Sequence, residues 1–175
     1  VQDRTGKNQY VLGAGNLTHT VQDTARLKVS YEFTPSLTAT YTLGFWQNQA
    51  NADPQSFLKN ASGATAYGSG FSSNDVDQQQ WMQSLELRSK TGGEWDWQLA
   101  ASTLSASRDL TRTSTAAFPA GQSGGAGTIA DASGTGWSTV DAKGIWRAKG
   151  SAQVISFGAH VDRYTLATPT WNTSN

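Results

Sequence analysis

Cysteine is absent from this 175-residue chain, and charged residues make up only 15% of it. The missing cysteine excludes disulfide frameworks and thiolate metal sites. The charged fraction is below the quarter or so that is typical of soluble domains. The formal net charge is zero and there is no basic cluster, which argues against a nucleic-acid partner. No apolar run approaches the roughly 20 residues that a membrane helix needs.

A signal peptide and an initial methionine are also missing from the sequence. The chain opens on a polar stretch, Val1 to Asn8, and stops in TPTWNTSN. We therefore expect it to be a fragment of a longer chain.

Alternation of apolar and polar residues is the main feature that is present. It is clearest in TARLKVSYEFTPSLTATYTLGF, residues 24–45, around a short turn at Thr34-Pro35-Ser36. One face carries Ala25, Leu27, Val29, Tyr31, Phe33, Leu37, Ala39, Tyr41, Leu43 and Phe45. The other face carries Thr24, Arg26, Lys28, Ser30, Glu32, Thr38, Thr40, Thr42 and Gly44. This period of 2, rich in β-branched and aromatic residues, predicts two β-strands.

Two further hairpins follow the first one. The apolar face of the second carries Trp81, Leu85, Leu87, Trp95, Trp97, Leu99 and Ala101. The apolar face of the third carries Val140, Ala142, Gly144, Trp146, Ile155, Phe157, Ala159 and Val161. No segment shows a capped stripe of helical period, so the sequence predicts an all-β protein.

The connections between these strands alternate in length. We predict an entry segment at 1–23, hairpins at 24–47, 80–106 and 138–166, long loops at 48–79 and 107–137, and the start of another loop at 167–175. In an up-and-down meander, the short turns then gather at one end and the long loops at the other. Loops in soluble domains have a median of about 4–6 residues, whereas outer-membrane barrels combine short periplasmic turns with long extracellular loops.

Several features favour lipid over a protein core as the environment of the apolar face. The clearest strands span about ten residues, which suits a tilted membrane strand of about 9–11 better than a soluble strand of about 5–6. The apolar face of the first hairpin has no charged residue, as contact with lipid requires. Aromatic residues gather at the strand ends, as membrane-interface girdles do. They are Phe33, Trp95, Trp97 and Trp146 at the lower rim and Phe45, Trp81 and Trp137 at the upper rim.

These features predict an antiparallel, up-and-down transmembrane β-barrel segment. We expect about six strands of a larger barrel, with all 175 residues belonging to one part of the barrel domain. A soluble β-sandwich also alternates. If Leu27, Val29, Tyr41 and Leu43 were sealed between two sheets, the membrane interpretation would be wrong.

The stretch LKVSYEFTPSLTATYTLGFWQNQAN resembles a barrel hairpin of TonB-dependent outer-membrane receptors. The resemblance lies in a strand that ends in Tyr-x-Phe, a TP-x-L turn, and a return strand that ends near Gly-x-Trp-x-Asn. The residues concerned are Tyr31, Phe33, Thr34, Pro35, Leu37, Tyr41, Gly44, Trp46 and Asn48. SFGAHVDRYTL is similar to strands of these barrels that climb into an external loop. The resemblance implies a barrel of about 22 strands with an N-terminal plug. No plug is seen in this sequence.

No catalytic or metal site is evident. His19 and His160 lie far apart in the sequence, without a framing carboxylate pattern, so we expect no metal and no cofactor. The glycine-rich GQSGGAGTIADASG lacks the Gly-Lys-Ser/Thr of a phosphate loop, and no Gly-x-Ser-x-Gly elbow occurs, so we expect no enzyme. Arg108, Asp109 and Arg112 are expected at the base of a solvated loop.

The long loops and the upper lumen are the expected ligand-binding region. Aromatic faces together with hydrogen-bonding groups suit a bulky polar solute. The candidate residues are Trp46, Tyr67, Phe71 and His160, and His160 is also expected to line the lumen beside Asp162.

The resemblance implies energy-coupled uptake of a scarce solute, such as a ferric siderophore, across the bacterial outer membrane. The implied partners are the outer-membrane bilayer, the small-molecule ligand, and TonB through a part of the chain that is not present here. The alternatives are a passive porin-like barrel and a soluble extracellular β-sandwich that binds carbohydrate through exposed tryptophans. A glycoside-directed enzyme domain would need paired acidic residues in a cleft, which the sequence does not offer.

Overall fold

The computed structural model describes residues 14–15, 18–52, 54–67, 72–123, 125–150 and 152–173. The strands are β1 (Ala14–Gly15), β2 (Thr18–Thr34), β3 (Leu37–Ala52), β4 (Gln55–Ser56), β5 (Ser72–Ser89), β6 (Trp95–Ala117), β7 (Gly127–Asp131), β8 (Gly136–Arg147), β9 (Val154–Thr165) and β10 (Thr170–Thr173). A 3-10 helix at Ala120–Ser123 follows β6, and the described residues contain no α-helix. The prediction of an all-β fold is confirmed.

In the described part of the chain, no helix has the length and apolar character that crossing a bilayer would require.

Eight strands form one antiparallel up-and-down sheet. β2, β3, β5 and β6 pair in chain order, and β6 then pairs with β7 along its upper part and with β8 along its lower part. β9 pairs with β8, and β10 pairs with β7. β7 and β8 are two consecutive pieces of one pass along the sheet, and so are β9 and β10. Counted in this way, the chain passes along the sheet six times. As described, the sheet is open, with β2 at one edge and β9 and β10 at the other.

Short connections gather at one end of the sheet, which we call the lower end. There β2 and β3 are joined through Pro35 and Ser36, β5 and β6 through residues 90–94, and β8 and β9 through residues 148–153. The connections at the opposite, upper end are longer and run through residues 53–71 and 118–126. This arrangement is the one that the alternating connection lengths predicted.

The strands continue further into the upper end than the sequence predicted. The expected loops at 48–79 and 107–137 are shorter, because β3 continues to Ala52, β5 begins at Ser72 and β6 continues to Ala117. Asn, Gln, Asp, Thr and Ser dominate these extensions. No apolar alternation therefore marks them as strands, although their backbones pair in register.

The register aligns side chains of the same character into rows across the sheet. One row runs through Val29, Tyr41, Leu85, Ala101, Val140 and Val161. We call this side of the sheet the apolar face and the opposite side the polar face. Leu27 is 54% exposed and Val29 is 51% exposed on the apolar face, whereas Thr42 and Asn48 on the polar face are each only 8% exposed.

The second sheet that a β-sandwich requires is missing from the described residues. The remaining sheet holds only β1 and β4, two residues each. Val29 and Tyr41, which a sandwich core would seal, are both exposed. The described part of the chain therefore does not form a sandwich around its apolar face.

A nearly buried carboxylate ties the lower end together. Asp96, at the start of β6, is 5% exposed. Its Oδ1 accepts hydrogen bonds from the Thr91 N–H at 2.6 Å and from the hydroxyls of Thr91 and Ser89 at 3.1 and 3.3 Å. Its Oδ2 accepts from Arg147 Nη1 at 2.5 Å. One side chain thus joins β5, the turn after it, β6 and the end of β8.

Candidate functional site

The predicted ligand-binding residues do not form one site in the described structure. Trp46 lies half-buried on the polar face of β3. Tyr67 lies in the upper connection, where its ring centroid is 4.5 Å from that of Phe118. His160 lies in the middle of β9, well below the upper connections. Phe71 lies outside the described residues.

Apolar side chains form one row across the polar face, which otherwise carries mainly polar residues. Met82, Leu104, Trp137 and Tyr164 stand at paired positions on β5, β6, β8 and β9. We call these four residues the transverse stripe. On β3 the same row holds Gly44, and a Cβ at that position would lie 3.5 Å from Met82 Cε. The missing side chain of Gly44 therefore leaves room beside Met82.

The stripe places Trp137 differently from its predicted position. The sequence assigned Trp137 to an upper girdle together with Phe45 and Trp81. Phe45 and Trp81 do pair on the apolar face, with ring centroids 4.7 Å apart. Trp137, however, lies on the polar face of β8, where it pairs with Leu104 of β6. The odd spacing between positions 137 and 140 puts them on opposite faces of a strand.

A pocket lies beside Trp46, next to the transverse stripe. It has a volume of about 280 Å³, and its lining includes Arg26, Trp46, Gln80, Met82 and Leu104. This lining combines a cation and an amide with an aromatic ring, a thioether and an aliphatic chain. Such a mixture suits a solute that has both planar apolar and hydrogen-bonding parts.

Above the pocket, amide side chains form a continuous hydrogen-bonded ladder on the polar face. Gln22 Nε2 donates to Asn48 Oδ1 at 3.2 Å, and Asn48 Nδ2 donates to Gln78 Oε1 at 3.0 Å. Gln78 Nε2 then donates to Asp109 Oδ1 at 3.0 Å. The ladder joins four strands and holds the polar wall above Trp46 in a defined geometry.

A second series of polar hydrogen bonds stabilises the short connection between β7 and β8. The Ser133 N–H donates to Asp131 Oδ1 at 2.7 Å, and Ser133 Oγ accepts from the Asp109 N–H at 2.9 Å. The hydrogen bonds from the Ser133 hydroxyl and N–H hold the pKa of the Asp131 carboxyl below its usual range. Through Ser133, Asp131 is thus linked to Asp109 on β6, the last residue of the amide ladder.

His160 is held between two carboxylates on the polar face. Its Nδ1 lies 2.5 Å from Asp141 Oδ1 and its Nε2 lies 2.8 Å from Asp162 Oδ2. The predicted place of His160 beside Asp162 is confirmed. When both ring nitrogens donate protons, neither has a lone pair to offer to a metal ion. In the part of the chain that the structure describes, no group of His, Asp or Glu side chains is arranged to hold a metal.

The arginines expected at a loop base are engaged with acidic residues above the apolar face. Arg108 Nε lies 2.8 Å from Asp77 Oδ2, and Arg112 Nη1 lies 3.7 Å from Asp75 Oδ2. Arg112 Nη2 also donates to the carbonyl oxygen of Gly125 at 3.1 Å. These guanidinium groups therefore stabilise the extended strands and the upper connection.

No protein-family model, curated protein or solved structure matches this chain. The candidate site is accordingly defined by geometry, as the transverse stripe together with the pocket beside Trp46. Of its members, the sequence pointed only to Trp46. The members of the transverse stripe are single apolar residues on the polar faces of their own strands, and only the pairing of the strands aligns them.

Proposed function

We propose that this chain forms part of the wall of a β-barrel in the bacterial outer membrane. In this proposal, lipid covers the apolar face and water fills the side that the polar face lines. The observation that carries it is the exposure of Leu27, Val29 and Val140 on one face, while polar Thr42 and Asn48 opposite are buried. Burying a Val or Leu side chain contributes about 1.5–3 kcal/mol. A row of such side chains left in water would forgo that contribution at every strand.

Aromatic clusters at the ends of the apolar face support this placement. At the lower end, the ring centroid of Trp95 lies 6.2 Å from those of both Trp146 and Phe157. At the upper end, Phe45 packs against Trp81. Rings that combine an apolar body with a polar N–H are favoured at the two membrane–water interfaces.

The upper border of the apolar face is not level across the sheet. On β3 and β5 the continuous apolar run ends at the paired residues Phe45 and Trp81. On β6, β8 and β9 it ends at Ala101, Val140 and Val161, which share a row four residues lower in the register. Strands that cross a bilayer at a tilt are consistent with such an uneven border.

We further propose that the barrel takes up a scarce solute, with a siderophore as the expected class and energy coupling through TonB. The support is the resemblance of the β2–β3 hairpin to TonB-dependent receptors and the mixed lining of the pocket beside Trp46. The transverse stripe adds an apolar surface on the watery side. A receptor can use such a surface to bind the apolar part of a solute.

Single-cysteine labelling tests the membrane placement, because these 175 residues contain no cysteine that would interfere. Val29→Cys and Val140→Cys lie on the apolar face, and their neighbours Ser30→Cys and Thr139→Cys lie on the polar face. In proteoliposomes we expect a charged, water-soluble maleimide to label the polar-face cysteines at least about tenfold faster. Only a thiol in contact with water ionises readily and meets the reagent.

A lipid-soluble nitroxide that quenches an attached fluorophore provides the reciprocal measurement. We expect it to quench labels at positions 29 and 140 and to spare labels at positions 30 and 139. Equal labelling and equal quenching at all four positions would show that both faces meet water, and the membrane proposal would then be wrong.

A further inference from the structure

A cation on the apolar face, Arg163, has no acidic partner among the residues that the structure describes. Arg163 on β9 pairs with Ser138 on β8 and follows Val161 on the same face. Its side chain is exposed. In the described part of the chain, no carboxylate lies within ion-pair distance of its guanidinium. This distinguishes it from Arg108 and Arg112, which are paired with Asp77 and Asp75 above the same face.

Arg163 borders a concavity that is rich in hydroxyl groups. The concavity has a volume of about 230 Å³. Its lining includes Arg163, Thr103, Ser105, Ser138 and Thr165.

A glycine, Gly136, stands in the row of Ser105 and Thr165 and lines the concavity. A Cβ at Gly136 would collide with the carbonyl oxygen of Leu104. Only glycine therefore fits this closely paired position.

The position of this concavity fits an amphiphilic ligand. Immediately below it, Val140 and Val161 are exposed at 47% and 66% and form the top of the apolar surface on β8 and β9. An acyl chain would lie against these side chains, and the polar head at its upper end would reach Arg163. A guanidinium binds phosphate oxygens with two parallel N–H donors, and hydroxyl groups can donate to the remaining oxygens.

We propose that Arg163 and the hydroxyls of Ser105, Ser138 and Thr165 bind the phosphate of a lipid head group in the outer leaflet. The acyl chains of that lipid rest on Val140 and Val161. This inference rests on the proposed membrane placement and adds a lipid partner to it. The phosphate supplies the negative charge that Arg163 lacks within the described residues.

Native mass spectrometry of the full protein in detergent tests the proposal, with phosphatidic acid as the probe. Diacylglycerol of the same acyl chains is the phosphate-free control. We expect Arg163→Gln to lower the retained phosphatidic acid about tenfold, the effect of losing one charge-assisted contact. Arg163→Lys should retain an intermediate amount, because it keeps the charge and loses the two-pronged geometry.

Lys143→Gln is the matched variant, because it removes one positive charge from the polar face of the same pair of strands. We expect it to leave phosphatidic acid retention unchanged, and we expect diacylglycerol retention to be equal in all variants. Equal retention of phosphatidic acid by wild type and Arg163→Gln would overturn the proposal. Complete displacement by an equal concentration of inorganic phosphate would assign the site to free phosphate and would also overturn it.

The cysteine-labelling experiment separates the two proposals. Alternating labelling together with unchanged lipid retention in Arg163→Gln would leave the membrane wall standing and remove only the lipid site. Uniform labelling would remove the membrane wall itself, whatever the lipid retention.

Discussion

At the scale of single residues, Asp96 is the side chain on which the lower end depends most. Four donors from Ser89, Thr91 and Arg147 converge on its carboxylate. We expect Asp96→Ala to lower the thermal midpoint of unfolding in detergent by several degrees, because the Thr91 N–H and the Arg147 guanidinium lose their acceptor. Asp96→Asn should fall in between, since the amide oxygen still accepts but carries no charge.

The control for Asp96 is Asp23→Ala, which changes an exposed carboxylate on β2. Its midpoint should equal that of the wild type, as measured by circular dichroism of the same preparation. A loss as large in Asp23→Ala as in Asp96→Ala would show that the lower-end hydrogen bonds are not responsible.

At the scale of one strand, β8 shows how sharply the two faces differ. Val140 points to the apolar face, and its neighbour Thr139 points to the polar face opposite Asp162. We expect Val140→Lys to lower the free energy of unfolding in lipid vesicles by about 1–2 kcal/mol, less than at mid-membrane, because the ammonium group would face hydrocarbon near the upper edge of the apolar face. Thr139→Lys should change it by less than about 1 kcal/mol, because a cation there meets water and a carboxylate.

Urea unfolding followed by tryptophan fluorescence measures both β8 variants in the same vesicles. Because the two substitutions introduce the same side chain at adjacent positions, strand propensity contributes equally to both. Equal losses would contradict the assignment of the apolar face to lipid.

The strength of the strand signal in the sequence differs between the centres and the upper ends of the strands. The strand centres, such as residues 25–33 of β2, were predicted because one face is apolar and the other polar over many residues. The upper part of β6, beyond residue 106, was not predicted, because polar residues occupy both of its faces. Its strand structure depends on hydrogen bonds to β5 and β7, which lie far away in the sequence.

At the scale of the whole molecule, the proposed uptake function makes the transverse stripe a binding surface. We expect Trp137→Ala to slow uptake of a ferric siderophore by cells about fivefold at limiting concentration. This is the change that about 1 kcal/mol of lost aromatic contact produces. Uptake by the wild-type protein should stop when a protonophore collapses the inner-membrane gradient, as energy coupling requires.

Trp95→Ala is the matched control for uptake, because it removes a tryptophan from the apolar face instead. Compared at equal surface abundance, it should transport at the wild-type rate. Uptake that survives the protonophore would favour the passive porin-like alternative. Equal uptake by Trp137→Ala and the wild type would remove the stripe from the binding surface.

The candidate site could be predicted only in part, and particular residues show why. Trp46 was predicted because it directly follows a stretch, residues 37–45, whose alternation is clear from the sequence. Met82, Leu104 and Tyr164 were missed, because each is a lone apolar residue on the polar face of its own strand. They become one surface only when four strands adopt their observed register, and register is a property of strand pairs.

The sequence by itself determined that the chain forms strands, where their centres lie and which side chains share a face. These properties are local, because side chains alternate along any extended backbone. Only the tertiary structure decided how far the strands extend, that Trp137 faces the polar side, and that Arg163 stands above Val161 beside a hydroxyl-lined concavity, with no acidic partner in the described part of the chain. Those features depend on which residues of distant segments are paired, and the backbone hydrogen bonds between strands determine that pairing.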